Sequence, residues 1–215
     1  MIKAVIFDAG DVVYYRDEET LKPLLDFFKK NKFKIPVKVF LKAYDENSLE
    51  LYKGKVSKDE NLKKVLKSLK ITFDNNFFSQ FAKIFRECFS KIKIKDDVYE
   101  TFEKIKAKGL KIAILSDAFS TEEKKWGWLR GINVAQFVDV VVCSISTGHT
   151  KDEKEAYEIV LNKLGLKPNE AIFIGHKEYE MKGAKLAGVK VISLEKGIGE
   201  DIFIDDISKL AGLIK

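Results

Sequence analysis

The sequence predicts an α/β fold: a parallel sheet covered by helices on both faces, interrupted early by an all-helical insertion. Three observations carry this. First, short continuous apolar runs recur at 2–8, 111–116, 138–143, 171–175 and 189–194, the pattern of strands buried on both faces. Second, amphipathic stretches lie between the later runs, so strand and helix alternate. Third, no good strand occurs between about Tyr15 and Ile92, where helical spacing dominates.

The elements follow in order. The first run, Ile2 to Phe7, ends on Asp8 and the turn Asp8-Ala9-Gly10-Asp11. Leu24, Leu25 and Phe28 then indicate a helix entered through Thr20 and Pro23. Val39, Phe40, Ala43, Leu49 and Leu51 indicate a second, broken near Asn47-Ser48. Ser57-Lys58-Asp59-Glu60 is a capping-box pattern opening a third, with Leu62, Val65 and Leu66 on one face. Phe77, Phe78, Phe81, Ile84, Phe85 and Phe89 stripe a fourth and read as packing among these helices. Beyond the insertion, Val98, Phe102 and Ile105 share a helix face, with Gly109 at its stop. Ala156, Val160, Leu161 and Leu164 repeat the pattern, with Gly165 and then Pro168 beyond. The expected division is a core of residues 1–14 and 93–215 and a helical domain of residues 15–92.

Composition bounds the setting. Of 215 residues, 46% are hydrophobic and 33% charged, enough for a large core under a densely charged surface. No run of about 18 apolar residues offers a membrane span, and the N-terminal apolar stretch is too short for a signal peptide. Two cysteines do not make a disulfide framework, so a cytoplasmic setting is expected. The net charge of +6 is spread among acidic neighbours, as in Glu122-Glu123-Lys124-Lys125, and reads as a solvated surface. No basic helix or aromatic–basic interleaving points to nucleic acid.

Ligands of parallel α/β sheets sit at the carboxyl ends of the strands, and Asp8, Ser116, Asp117, Gly175 and His176 all fall there. The order of these motifs resembles the haloacid dehalogenase superfamily, in its phosphatase-like branch with a helical cap after the first strand. Asp8-Ala9-Gly10-Asp11-Val12 stands where the family has Asp-x-Asp-Gly-Thr/Val, and Leu115-Ser116-Asp117 where it has a strand-closing Ser or Thr. Ser144, Gly148, Lys151 and Tyr157 match the spacing of its third motif. Gly175-His176-Lys177-Glu178-Tyr179-Glu180 and Gly183-Ala184-Lys185-Leu186-Ala187-Gly188 match its fourth. The resemblance covers almost the whole chain and implies a Rossmann-like core.

What the resemblance implies is an aspartyl-phosphate mechanism on a small phosphorylated molecule. Asp8 would be the nucleophile, and Ser116, Asp117 and Lys151 the phosphate-site residues. Mg²⁺ would be held by Asp8, the Gly10 carbonyl and the residues at the fourth motif's acidic positions, here His176 and Glu180. Two departures matter. Gly10 replaces the family's general acid and cannot donate a proton. His176 replaces a hard carboxylate ligand, and imidazole suits a transition metal better than Mg²⁺. Three readings therefore stand at this point: a metal-assisted phosphatase of reduced efficiency, a dehalogenase-like hydrolase without metal, and a binding protein built on a degenerate site. The dehalogenase reading lacks an identifiable halide-binding Arg and the aromatic ring that those enzymes carry at position 10.

Overall fold

The structure, a computed structural model, describes residues 1–214. It divides into two compact units, Met1–Tyr15 with Ile94–Lys215, and Arg16–Lys93.

The first unit is the α/β core. Its strands are β1 (Ala4–Asp8), β2 (Tyr14–Tyr15), β3 (Lys93–Ile94), β4 (Lys111–Ser116), β5 (Val140–Cys143), β6 (Ala171–Gly175), β7 (Lys190–Ser193) and β8 (Ile202–Phe203). Six of them form one sheet in the order β5-β4-β1-β6-β7-β8, every pairing parallel. β2 and β3, two residues each, lie outside that sheet, and β3 straddles the boundary between the units.

The apolar runs form strands because both faces are covered. All five residues of β1 are buried. One face places Ala4, Ile6, Leu115, Val142, Phe173 and Val191 against Tyr157, Val160, Leu161, Met181 and Ala184. On the other, the Phe7 and Phe102 rings meet at 4.8 Å. Burying an aliphatic or aromatic side chain of this size contributes about 1.5–3 kcal/mol. The register matters more than the sum: it pairs Asp8 with Leu115, Ser116 with Cys143 and Gly175 with Ser193. Three polar strand ends thus share one edge of the sheet. Two edge features differ from expectation: the strands are shorter than the apolar runs at 2–8, 138–143 and 189–194, and β8 is additional. A two-residue strand such as Ile202–Phe203 has too few residues to show a periodicity.

The second unit is helical: α1 (Glu18–Lys30), α2 (Val37–Asn47), α3 (Leu49–Tyr52), α4 (Lys58–Ser68) and α5 (Asn75–Ser90). α1 begins earlier than the Thr20 and Pro23 signals suggest. Asp17 is its cap, accepting from both the Thr20 amide at 2.9 Å and the Thr20 hydroxyl at 2.6 Å, and Pro23 lies inside the helix. The break at Ser48 separates α2 from α3, and the Ser48 hydroxyl donates to the Tyr44 carbonyl at 2.6 Å. The capping box at α4 closes both ways, with the Ser57 amide on Glu60 at 2.8 Å and the Glu60 amide on Ser57 at 3.2 Å. The phenylalanine stripe of α5 packs on α1 and α2: Phe81 lies 5.7 Å from Phe28, and Phe85 5.3 Å from Tyr44.

The remaining helices belong to the core: α6 (Val98–Ala107), α7 (Glu122–Gly131), α8 (Ser144–Thr147), α9 (Lys154–Leu164), α10 (Glu178–Leu186) and α11 (Leu210–Leu213). Gly165 ends α9 at φ 69°, a left-handed conformation natural to glycine. Among the described residues no helix is long and apolar enough to cross a membrane.

Candidate functional site

The site is built on the carboxyl edge of the sheet, from residues of the α/β core alone. Asp8 closes β1 with 4% of its surface exposed. Its Oδ1 accepts a hydrogen bond from Lys151 Nζ, and Lys151 Nζ also donates to Glu180 Oε1. All three side chains are buried. One ammonium therefore bridges two carboxylates in a dry setting, where unpaired charge is costly.

Each partner is held by backbone features. Glu180 lies in the first turn of α10, and its Oε2 accepts from the amides of His176 at 3.0 Å and Lys177 at 3.2 Å. Gly175 leaves room for it, since a Cβ there would stand 2.5 Å from Glu180 Oε2. Gly183 does the same for the helix as a whole: its Cβ would meet the Lys151 carbonyl at 2.0 Å. The Tyr157 hydroxyl donates to the Glu180 carbonyl at 2.8 Å and lies 3.1 Å from that of Lys151, tying α10 to the Lys151 loop. Asp117 Oδ1 accepts from the Lys151 amide at 3.0 Å, and its Oδ2 lies 3.3 Å from the Tyr179 hydroxyl. Both Asp117 oxygens thus serve the protein's own architecture.

His176 follows β6, with its Nδ1 3.3 Å from Asp8 Oδ2 and 3.9 Å from Glu180 Oε2. Its Nε2 is 4.0 Å from Oδ2 of the exposed Asp11. The electrostatics are mutual. Burial raises the Asp8 pKa, but Lys151 and then His176 outweigh it and hold the carboxyl well below its usual range. Burial lowers the Lys151 pKa, and Asp8, Glu180 and Asp117 more than reverse that. His176 is likewise pushed upward by Asp8 against its burial. Asp117 moves the other way, up to about 6, chiefly because it is buried.

Ligand atoms of Asp8, His176 and Glu180 lie within 4.8 Å of one another, a grouping that could hold a metal ion. The buried His176 Nδ1 has no well-formed hydrogen bond. An imidazole nitrogen beside two carboxylates fits a divalent first-row transition metal better than Mg²⁺, which favours oxygen donors. Gly10 lies in the turn after Asp8, where a Cβ would meet nothing within 4 Å. His149 stands apart from this grouping, its Nδ1 paired with Glu153 at 3.0 Å.

Ser116 closes β4 with 4% exposure, and its neighbour is a residue that the sequence reading passes over. Lys125 Nζ, on α7, donates to Ser116 Oγ at 3.1 Å and to the Tyr14 hydroxyl. It lies 4.8 Å from the centre of the Trp128 ring and 5.1 Å from that of Tyr14. Only 2% of Lys125 is exposed. Within Glu122-Glu123-Lys124-Lys125 the residue reads as one more solvated charge. The available signal was Trp128, three positions on and on the same helical face.

Comparisons with known proteins bear on the family and the fold. The chain is 24% identical over 223 residues to a glyceraldehyde 3-phosphate phosphatase of Methanocaldococcus jannaschii, covering 97% of this chain and 91% of that one. It is 33% identical over 107 residues to a pyrophosphatase PpaX of Halalkalibacterium halodurans, about 49% of each chain. Among solved structures, the L-2-haloacid dehalogenase of Xanthobacter autotrophicus superposes with a TM-score of 0.76 at 18% identity, over 99% of this chain and 98% of that one. CbbY of Rhodobacter sphaeroides in complex with phosphate superposes with a TM-score of 0.69 at 16% identity, over 98% and 96%. The family model for haloacid dehalogenase-like hydrolases matches residues 2–188, and the chain belongs to that family.

Proposed function

We propose that the protein is a phosphohydrolase that attacks a small phosphorylated molecule with Asp8. The observation that carries this is the Asp8 carboxylate at the end of β1, buried between Lys151 and His176 and kept ionised by them. An ionised carboxylate in that position is a competent nucleophile. The phosphatase relatives support phosphorus over carbon as its target.

In the first step an Asp8 oxygen forms a bond to phosphorus and the bond to the leaving oxygen breaks. In the second, water attacks the phosphorus of the aspartyl phosphate, inorganic phosphate departs and the carboxylate is restored. Lys151 and the Ser116 hydroxyl would hold the phosphoryl oxygens as charge spreads over them. Asp117, Tyr157 and Glu180 fix Lys151 and so serve this geometry indirectly. Asp8, His176 and Glu180 are the residues that would hold a divalent cation. Such an ion would supply positive charge that offsets the repulsion of two anions.

Gly10 sets the preference among substrates. General acid catalysis contributes roughly 10²–10⁴-fold, and position 10 holds no acid. Leaving groups that depart as stable anions lose least by this. The reading is therefore a preference for phosphoanhydrides and aryl phosphates over alkyl phosphates, in line with the pyrophosphatase name of one relative.

The test is a panel of p-nitrophenyl phosphate, pyrophosphate, an alkyl phosphate and 2-chloropropionate, each with Mg²⁺, Mn²⁺ and Zn²⁺. The expected result is phosphate release from the first two, no chloride release, and a loss of at least about 10³-fold in kcat/KM in Asp8→Asn. Undiminished turnover in Asp8→Asn overturns the assignment, and chloride release would assign the dehalogenase reading instead.

A further inference from the structure

Lys125 is a buried cation without a buried anion. Its hydrogen-bond partners are two neutral hydroxyls, Ser116 and Tyr14, and its remaining sides face the rings of Tyr14 and Trp128. Among the described residues no carboxylate pairs with it. Ring faces attract an ammonium, but they do not cancel its charge. A charge kept in a dry place without a counter-charge is costly in the free protein, and an incoming anion relieves that cost.

Where the anion would sit follows from Ser116. A hydroxyl has one proton and two acceptor lone pairs. With Lys125 donating into Ser116 Oγ, the Ser116 proton is left to point elsewhere, and the charge-assisted bond polarises it into a stronger donor. The ammonium has three N–H groups, and the two hydroxyls account for two of them. Lys151 supplies no net charge in comparison, since Asp8 and Glu180 both bind it.

We propose that Lys125 is a positioning residue that prepares Ser116 for a dianionic phosphoryl group, making the site selective for dianions over monoanions. This rests on the phosphohydrolase reading and adds to it the charge class of the ligand. It separates a phosphomonoester or phosphoanhydride terminus, with two charges, from a carboxylate or phosphodiester, with one.

Titration calorimetry of the full chain with inorganic phosphate and with acetate tests this, in wild type, Lys125→Met and Lys125→Arg. Wild type is expected to bind phosphate more tightly as pH rises through the second ionisation of inorganic phosphate, which converts the monoanion to the dianion. Lys125→Met is expected to bind phosphate at least about tenfold more weakly at pH 8 and to lose that steepening. Lys125→Arg is expected to recover part of both, and acetate binding is expected to differ little between the three. A purely structural lysine would leave the pH dependence in place. If Lys125→Met does not melt cooperatively, Lys125→Gln replaces it under the same criteria. Phosphate binding within twofold of wild type, with the same pH dependence, overturns the role of Lys125 and leaves the phosphohydrolase reading standing. A wild type that does not bind phosphate overturns both. A wild type that binds phosphate through Lys125 yet hydrolyses no phosphorylated compound supports the dianion site and overturns the hydrolase reading alone.

Discussion

Two lysines stand at the same edge of the sheet, both about 2% exposed, and they differ in their company. Lys151 bridges the carboxylates of Asp8 and Glu180, while Lys125 bridges the hydroxyls of Ser116 and Tyr14. The first charge is cancelled inside the protein and belongs to the architecture that holds the nucleophile. Among the described residues the second meets no carboxylate, and in the proposal above it acts on a ligand through Ser116. Removing the first should damage the fold together with the phosphate site, and removing the second should damage recognition while sparing the fold more.

The largest effect expected is therefore on stability at Lys151. Lys151→Met leaves Asp8 and Glu180 buried without their cation, which should cost about 3–5 kcal/mol. Adding Glu180→Gln removes one of the stranded charges. The double variant should regain at least about 1 kcal/mol relative to the sum of the two single changes. Urea unfolding of the four proteins measures this, and strictly additive costs would break the contrast between the lysines.

Asp117 sharpens the same contrast through pH. Burial raises its pKa from an ordinary 3.8 to about 6. Between those values the folded state binds the extra proton. The carboxyl therefore favours folding below about pH 4, and this advantage is lost as pH rises through about 6. Asp117→Asn keeps an acceptor for the Lys151 amide and removes the charge. It should stabilise the protein at pH 8 by at most about 3 kcal/mol, with the gain vanishing toward pH 4. Melting curves at both pH values test this, and a constant difference would place the cause elsewhere than in ionisation.

The smallest effect expected on stability is at Gly10, where a Cβ meets nothing within 4 Å. Gly10→Asp should fold as well as wild type and supply the missing acid. Its benefit should appear with poor leaving groups: about tenfold or more on an alkyl phosphate, against little change on p-nitrophenyl phosphate. An equal gain on both would show that the new carboxylate acts by another route, such as metal binding.

The parts that the sequence made legible share a physical cause. Apolar runs at 111–116 and 171–175 are buried on both faces, so composition alone marks them, and the register then carries Asp8, Ser116 and Gly175 to one edge. Gly183 is legible as part of a motif, and its reason, contact with the Lys151 carbonyl, is visible only in three dimensions. Asp117 is placed at the site by its strand end, yet its carboxylate serves the Lys151 loop, because the nearest donor is the Lys151 amide. Lys125 is illegible for a different reason. Burial of a charged residue depends on what surrounds it in the fold, here Tyr14 together with Trp128 of the same helix, and a run of mixed charges hides it. The α1 start was displaced because Asp17 offers a stronger cap than Thr20, which donates to it.

The central claim is that Asp8 becomes covalently phosphorylated, and acid-quenched mass spectrometry during turnover of p-nitrophenyl phosphate tests it most directly. The account predicts one added phosphoryl group on the peptide containing Asp8 in wild type, and none in Asp8→Asn. Turnover with no such adduct, or an adduct that persists on another residue in Asp8→Asn, would contradict it.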